Sequence, residues 1–228
     1  MKRALALTVR GLTKSYVGAR ARQVLRDVTL EVGRGEFVAI MGESGVGKST
    51  LLNLIAGVDT ADAGSVELEG TDLSRLADTA RTLLRRDRMG FVYQAFHLLP
   101  HLTVVQNVRL PLDLAGIARS ESDPRARAML AAVGIGNLAT DYPRALSGGE
   151  AQRTAIARAL VHHPRLVLAD EPTGNLDAAS AAQVLTLLRD QVKQHDAAAL
   201  LVTHSSAAAA MADRVYLLTA DGLQERRS

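Results

Sequence analysis

A glycine-rich stretch with a lysine and two hydroxyls at its end lies between residues 42 and 50. Such a stretch suits polyphosphate, because backbone N–H groups must converge on the anion and glycine permits the loop path this requires. The lysine can reach the β- and γ-phosphates of a nucleotide, and the first hydroxyl can hold Mg²⁺. The predicted nucleotide-binding residues are Gly42, Glu43, Ser44, Gly45, Val46, Gly47, Lys48, Ser49 and Thr50.

Two adjacent acids end an apolar strand further along the chain. Leu166–Ala169 is followed directly by Asp170 and Glu171. Consecutive strand side chains point to opposite faces, so the two carboxylates should have different roles. We expect Asp170 to orient hydrated Mg²⁺ and Glu171 to face the water that attacks the γ-phosphate. Open α/β sheets bind ligands at the carboxyl ends of their strands, so both acids would stand near the glycine-rich loop.

A second helix end that can bind an anion follows Leu146. Ser147 is a favoured N-cap type, and Gly148, Gly149 and Glu150 then open a helix. The positive end of that helix can cap a phosphate. Two anion-binding helix ends for one triphosphate make sense if two copies of the chain face each other.

The elements that must position these residues alternate along the chain. Phe37–Met41 reads as an apolar strand before the glycine-rich loop, and Ser49–Ala56 reads as the helix after it. That context favours a phosphate site over a turn that merely happens to be glycine-rich. Further strands are predicted at Leu5–Arg10, Val24–Val32, Ser65–Glu69, Met89–Gln94, Leu166–Ala169, Ala198–Thr203 and Val215–Leu218. Further helices are predicted at Leu73–Arg86, Val104–Gly116, Pro124–Val133, Gly148–Leu160 and Ala178–Val192.

This order of elements predicts an α/β fold of the P-loop NTPase class. Short apolar strands alternating with helices indicate a mainly parallel sheet, and the first two strands indicate a small antiparallel β layer. Strand signals disappear over residues 95–160, which we interpret as an inserted helical subdomain. Residues 1–94 and 161–228 would form the core and the β layer, so that 1–228 is a single domain.

Composition excludes several classes of protein. The chain has no cysteine, which excludes disulfides and thiolate metal sites and suits a reducing cytosol. A net charge of +3 over 228 residues is a mild excess, so we predict no nucleic-acid partner. No apolar run approaches the ~20 residues of a membrane-spanning helix, so any membrane role would need a partner protein.

Together these motifs resemble the ABC ATPases. Residues 42–50 match the family's Walker A pattern, and Leu146–Glu150 looks like its signature motif. The resemblance runs from about Leu5 to Gly222. It implies ATP and Mg²⁺ as cofactors and a head-to-tail homodimer. Two ATP molecules would be sandwiched in that dimer, each between the Walker A loop of one copy and the signature motif of the other.

The resemblance also implies roles for residues that would be weak signals alone. Gln94 matches a glutamine that reaches Mg²⁺ and the attacking water, and His204 matches a histidine that contacts the γ-phosphate. Tyr16 stands where the family has an aromatic ring under the adenine. A loop that crosses the dimer interface is matched by Asn175, Leu176 and Asp177. The implied catalytic set is therefore Glu171, His204, Gln94 and Lys48, and the implied Mg²⁺ set is Ser49, Gln94 and, through water, Asp170.

Within the family the chain looks closest to the lipoprotein-release, macrolide-export and cell-division group, through segments such as Phe96–Thr103 and Ala169–Asp177. This implies an ATP-hydrolysing subunit at the cytoplasmic face of the inner membrane that powers export or lipoprotein extraction. Separate permease subunits would dock near Gln94–Leu102. The alternative is a cell-division type of subunit that transmits a mechanical signal. Ala151, Thr154 and Ser205 depart from the family's usual residues without removing a catalytic group.

Two rival classes fit less well. A DNA-repair or chromosome-structuring head would place a long coiled coil between its two Walker motifs, and no heptad run separates Lys48 from Asp170. A P-loop kinase or GTPase would leave the Leu146–Glu150 segment unexplained, and the chain lacks the Asn-Lys-x-Asp base-reading motif of GTPases.

Overall fold

The computed structural model describes residues 4–16 and 22–226. The strands are β1 Leu5–Tyr16, β2 Arg22–Gly33, β3 Phe37–Met41, β4 Ala63–Leu68, β5 Thr71–Asp72, β6 Met89–Tyr93, β7 Leu166–Asp170, β8 Ala198–Val202, β9 Arg214–Thr219 and β10 Gly222–Arg226. The helices are α1 Lys48–Ile55, α2 Asp78–Arg88, α3 Val104–Leu114, α4 Arg119–Ala132, α5 Gly148–Leu160, α6 Ala178–Gln194 and α7 Ser206–Ala209.

The larger sheet has six strands in the order β10-β9-β3-β8-β7-β6. All of its pairs are parallel except β9 with β10. Every residue of β8 is buried, as expected for a central strand covered on both faces. The prediction of a mainly parallel sheet is thus confirmed, and β3, β7 and β8 end at the same edge.

The smaller sheet is antiparallel and has the order β2-β1-β4-β5. Its apolar face packs with α1 and one face of the larger sheet in one core cluster. A second cluster joins the other face of the larger sheet to α3, α4, α5 and α6. The predicted β layer is confirmed, and it is larger than the two strands expected because β4 and β5 add to it.

The segment between β6 and β7 contains helices and loops but no strand. α3, α4 and α5 contact one another, and α5 also packs on β6. No helix in the ranges 4–16 and 22–226 has both the length and the apolar character that crossing a bilayer requires.

The structure differs from the prediction in three places. The helix predicted at Leu73–Arg86 is found as α2, but it begins at Asp78: Leu73–Arg75 is a separate 3-10 turn capped by Asp72, and the backbone of Leu76 is extended. α4 starts at Arg119 rather than at Pro124, because Ser122 and Asp123 are held by tertiary contacts to Asp113 and Arg109. The sequence pattern did not predict β10.

Candidate active site

The glycine-rich loop joins β3 to α1, and two of its glycines are required by its path. A Cβ on Gly42 would lie 2.7 Å from the carbonyl oxygen of Leu218. Gly47, the residue before α1, has φ of 114°, and a Cβ there would lie 2.7 Å from Cγ1 of Val24. Because glycine has no Cβ, the loop can approach Leu218 and Val24 this closely at both positions.

Lys48 is the first residue of α1, and its side chain is held inside the loop. Its Nζ donates to the carbonyl oxygens of Gly42, at 2.8 Å, and Glu43, at 2.9 Å. The residue is only 8% exposed. An ammonium group has three N–H donors, so one is left for a phosphate oxygen.

The loop opens into a surface cavity that both predicted acids line. Residues Ser44–Gly45 and Gly47–Thr50 form one wall, with Val24 from β2 beside them. Asp170 and Glu171 line the cavity from the end of β7. The parallel sheet therefore brings together residues that are more than a hundred positions apart in the sequence.

Asp170 and Glu171 lie in different environments. Burial raises the pKa of Asp170, and a hydrogen bond with Ser49 opposes that rise. Glu171 lies beyond the end of β7 with a left-handed φ of 47°. The two carboxylates are thus separated by a backbone turn rather than by the strand alternation from which we predicted their separation.

The carboxylate of Glu171 has a protein partner on each oxygen. Nδ1 of His204 lies 2.8 Å from Oε1, and the Thr203 hydroxyl donates to Oε2 at 3.3 Å. For the ring to donate to this oxygen, the imidazole must carry a proton on Nδ1. Thr203 is almost fully buried and was not singled out from the sequence. A hydroxyl beside a histidine at the end of a strand next to β7 is the signal that could have identified it.

Gln94 follows β6 and contacts the predicted interface loop. Its Nε2 donates to Oδ1 of Asn175 at 3.0 Å, and Nδ2 of Asn175 donates back to the carbonyl oxygen of Gln94 at 3.0 Å. β6 pairs with β7 so that Tyr93 is opposite Asp170. Gln94 is therefore one residue beyond the register position of Asp170, at the same edge of the sheet.

The remaining residues of the interface loop stay close to α5 and α6. Leu176 packs partly against the core, and a Cβ on Gly148 would lie 3.2 Å from its Cδ2. Asp177 caps α6 by accepting from the N–H groups of Ala179 and Ser180, and hydrogen bonds from Ser180 lower the pKa of Asp177.

The start of α5 is exposed and separate from the cavity. Ser147 and Glu150 form a capping box: the N–H and the hydroxyl of Ser147 both donate to Glu150, at 2.8 and 2.7 Å. The hydroxyl of Ser147 lowers the pKa of Glu150. None of the residues from Ser147 to Glu150 is among those lining the cavity. The structure thus does not bring this helix end and the glycine-rich loop into one pocket of a single chain.

Tyr16 also lies outside the residues that line the cavity, but the β layer places it nearby. It pairs with Arg22 across β1 and β2, and Nη2 of Arg22 donates to the carbonyl oxygen of Gly45 at 3.0 Å. Its ring is partly exposed, and its hydroxyl donates to Oδ2 of Asp59 at 2.8 Å.

The structure explains the three residues that depart from the family's usual types, Ala151, Thr154 and Ser205, by their local contacts. Ser205 caps α7 by accepting from the N–H of Ala208, which an aspartate could do equally well. Ala151 is buried, which suits a small apolar side chain. The buried hydroxyl of Thr154 donates to the carbonyl oxygen of Glu150 at 2.8 Å.

A phosphate-binding loop between a strand and a helix, with acids at the end of a neighbouring parallel strand, defines a P-loop nucleoside triphosphatase. These features alone do not account for the capped start of α5 at Ser147. The chain belongs to the ABC transporter family, whose profile matches residues 25–174.

Relatives match nearly the whole chain. The lipoprotein-releasing system ATP-binding protein LolD of Cereibacter sphaeroides is 48% identical over 216 residues, which cover 94% of this chain and 96% of that protein. The LolD protein of Pseudomonas syringae pv. tomato is 48% identical over 220 residues, 96% of this chain and 97% of its own. An uncharacterized ABC transporter ATP-binding protein of Mycobacterium tuberculosis is 46% identical over 201 residues, 88% of this chain and 81% of its own.

Solved structures agree with this assignment. The dimeric structure of the bacterial ABC transporter cassette MJ0796 matches with a TM-score of 0.86 and 36% identity, over 97% of this chain and 99% of the other. A post-hydrolysis state of the same cassette, bound to ADP and Pi, matches with a TM-score of 0.85 and 35% identity, again over 97% and 99%. The chain is an ATP-binding and ATP-hydrolysing subunit of an ABC transporter.

Proposed function

We propose that this subunit powers lipoprotein release or a related export step through separate permease subunits in the inner membrane, working at the cytoplasmic face. The names and near-complete coverage of the LolD relatives support the lipoprotein substrate. In this proposal the whole chain is one domain, 1–228. Residues 95–160, in which the structure has helices and no strand, are its helical subdomain.

The chemistry we propose is in-line attack of water on the γ-phosphorus, with Glu171 as the base. The observation that carries it is the position of Glu171 at the cavity wall, fixed by Thr203 on one oxygen and His204 on the other. A fixed carboxylate can orient and deprotonate a water, and His204, which contacts Glu171, would bind the γ-phosphate. Lys48 would bind the β- and γ-phosphates, and Tyr16 would stack under the adenine.

Two residues that line the cavity, together with Gln94 from the same edge of the larger sheet, also suit Mg²⁺. Ser49, Asp170 and Gln94 offer a hydroxyl, a carboxylate and an amide oxygen, which are the hard oxygen donors that this ion prefers. Ser49 and Asp170 both line the cavity. When bound, Mg²⁺ would supply positive charge that offsets the charge developing on the phosphates. Ser49 would be its direct ligand, Gln94 would reach it, and Asp170 would act through water.

We further propose that the complete ATP site needs a second copy of the chain. The capped start of α5, with Ser147, Gly148, Gly149 and Glu150, is exposed on the surface and does not line the cavity. Its free N–H groups would meet the γ-phosphate held by the partner subunit's glycine-rich loop. Asn175, Leu176 and Asp177 lie beside this helix end and would be part of the same interface.

Membrane permeases would dock in an apolar groove between α2, β6, α3 and α5. Apolar side chains that are unusually exposed for their size line it, among them Val58, Leu83, Leu99 and Leu114. His97 and Leu99 belong to the Gln94–Leu102 segment, which joins β6 to the helical segment. An amphipathic helix on the cytoplasmic side of a permease would cover these side chains and contact the segment that carries Gln94.

Substituting Leu99 with glutamate should weaken association with the permease at least tenfold, because it places a charge in an apolar interface. The basal ATPase activity of the isolated subunit should stay within about twofold. Leu5 has the same exposure as Leu99, 43%, and lies on β1, so Leu5→Glu is the matched control. Co-purification of permease with each tagged variant measures the effect. Equal recovery with both variants would place the docking site elsewhere.

The proposed transport function is tested in vesicles. The subunit and the permease that co-purifies with it are reconstituted with a radiolabelled lipoprotein, and release into solution is followed on adding ATP. We expect release that requires ATP and is lost in the Glu171→Gln variant. ATP hydrolysis that proceeds without any release would instead favour a subunit that transmits a mechanical signal.

A further inference from the structure

Two side chains at the end of β1 and one from the loop after α1 form a cluster that the mechanism above does not use fully, namely Lys14, Tyr16 and Asp59. The Asp59 carboxylate accepts from Nζ of Lys14 at 2.9 Å through Oδ1 and from the hydroxyl of Tyr16 at 2.8 Å through Oδ2. Nζ of Lys14 lies 5.0 Å from the centroid of the Tyr16 ring. We call these three residues the Tyr16 clamp.

Both charged groups of the clamp are hydrogen-bonded. Lys14 is only 9% exposed, and its ammonium also donates to the carbonyl oxygen of Thr60 at 2.6 Å. The N–H of Thr60 donates to Oδ1 of Asp59 at 2.7 Å. A buried lysine is costly unless it is paired and hydrogen-bonded, and a side-chain network of this kind restricts the motion of its members. The ring of Tyr16 is therefore held at its hydroxyl end and has a cation near one face.

The clamp is joined to the nucleotide loop from two sides. The loop that carries Asp59 follows α1 directly, and the N–H groups of Val58 and Asp59 both donate to the carbonyl oxygen of Asn53 in that helix. On the other side, Tyr16 pairs with Arg22, which donates to Gly45. The position of the ring is thus tied to the helix and the loop that bind the phosphates.

We propose that Lys14 and Asp59 are positioning residues for the nucleobase, acting only through Tyr16. This inference rests on the proposed stacking of Tyr16 under adenine. Asp59 fixes the ring plane through the hydroxyl, and Lys14 approaches one face of the ring, so that a purine stacks on the other. Neither residue acts on the phosphates. Their contribution should therefore appear in the affinity for a nucleotide and be absent for a ligand without a base.

The experiment compares ATP with inorganic tripolyphosphate, which can occupy the glycine-rich loop but has no base. Asp59→Ala should raise KM for ATP about three- to tenfold, the range expected for one or two hydrogen bonds. It should leave kcat within about twofold and the inhibition constant of tripolyphosphate unchanged. Asp62→Ala is the matched control, because Asp62 lies in the same loop and binds the N–H of Ser15 instead of the clamp. It should change KM less.

A double-substitution cycle tests whether the effect passes through Tyr16. In a Tyr16→Ala background, Asp59→Ala should add no further increase in KM. A full additional increase in that background, or an equal rise in the tripolyphosphate constant, would overturn the inference. Lys14→Met, which keeps most of the side-chain volume, repeats the test should Asp59→Ala fail to fold.

The same cycle separates two kinds of failure. A Tyr16→Ala variant with unchanged KM would contradict the adenine stacking and the inference with it. A raised KM in Tyr16→Ala together with wild-type KM in both Asp59→Ala and Lys14→Met would leave the stacking intact and reject the positioning role.

Discussion

Replacing Glu171 with glutamine should lower ATP turnover by about 10²–10⁴-fold, the contribution that a positioned general base usually makes. The amide has nearly the shape of the carboxylate but cannot take a proton from water. Its oxygen and nitrogen can still bond to Thr203 and to His204, which can change tautomer to accept. The site should thus keep its geometry and lose only the base.

ATP binding should survive this substitution, and the dimer should accumulate. ATP that bridges two copies favours the closed dimer, and hydrolysis is what removes the bridge. We therefore expect light scattering to find Glu171→Gln as a dimer in ATP and Mg²⁺, and equilibrium dialysis to find ATP affinity within a few-fold of the natural chain. Phosphate release measures turnover.

Glu67→Gln is a matched control for this experiment. It makes the same chemical change on the antiparallel sheet, where Glu67 pairs with Arg10. Its turnover should equal that of the natural chain. Near-normal turnover in Glu171→Gln would refute the assignment of Glu171 as the base, and a loss of ATP binding would show that the substitution had damaged the cavity instead.

The parts of the site that could be predicted from sequence are those built by local patterns. The apolar strand β3 and the helix α5 were predicted with the bounds that the structure has. Both follow from short-range rules: an apolar run that ends in glycine, and a serine followed three residues later by a glutamate. Because these signals lie within a few residues of one another, they do not depend on the rest of the fold.

The contacts that the sequence could not predict join residues far apart in the chain. The hydrogen bond between Thr203 and Glu171 spans 32 positions, and that between Gln94 and Asn175 spans 81. Their geometry depends on the register of β6, β7 and β8, which no local pattern encodes. The resemblance suggested that Gln94 and His204 matter, but it gave no reason to choose Thr203 or Asp59.

Strand β10 was not predicted for a different reason. Its residues after Leu223 are polar or charged and exposed, as is common for an edge strand that closes a sheet. It therefore lacks the alternation of apolar and polar residues on which strand prediction relies. What defines it is the antiparallel pairing with β9, in which Gly222 is opposite Thr219.

Replacing Lys48 with alanine should weaken ATP binding by about 10²-fold, because hydrogen bonds to charged groups are stronger than neutral ones and Lys48 would make them to two phosphates. The substitution also removes the donor that holds the carbonyl oxygens of Gly42 and Glu43. Lys193→Ala is the matched control, since it removes an exposed ammonium paired with Asp213 at 2.8 Å. It should leave ATP affinity unchanged.

Two measurements separate lost phosphate contacts from a collapsed loop. Lys48→Arg keeps the charge, but its planar guanidinium does not match the two carbonyl oxygens in the way that an ammonium does. We expect it to bind ATP better than Lys48→Ala and worse than the natural chain. Tripolyphosphate should lose as much affinity as ATP in Lys48→Ala, because in our proposal the lysine binds the phosphates and not the base. Unchanged affinity of Lys48→Ala for either ligand would contradict the role we propose for the glycine-rich loop.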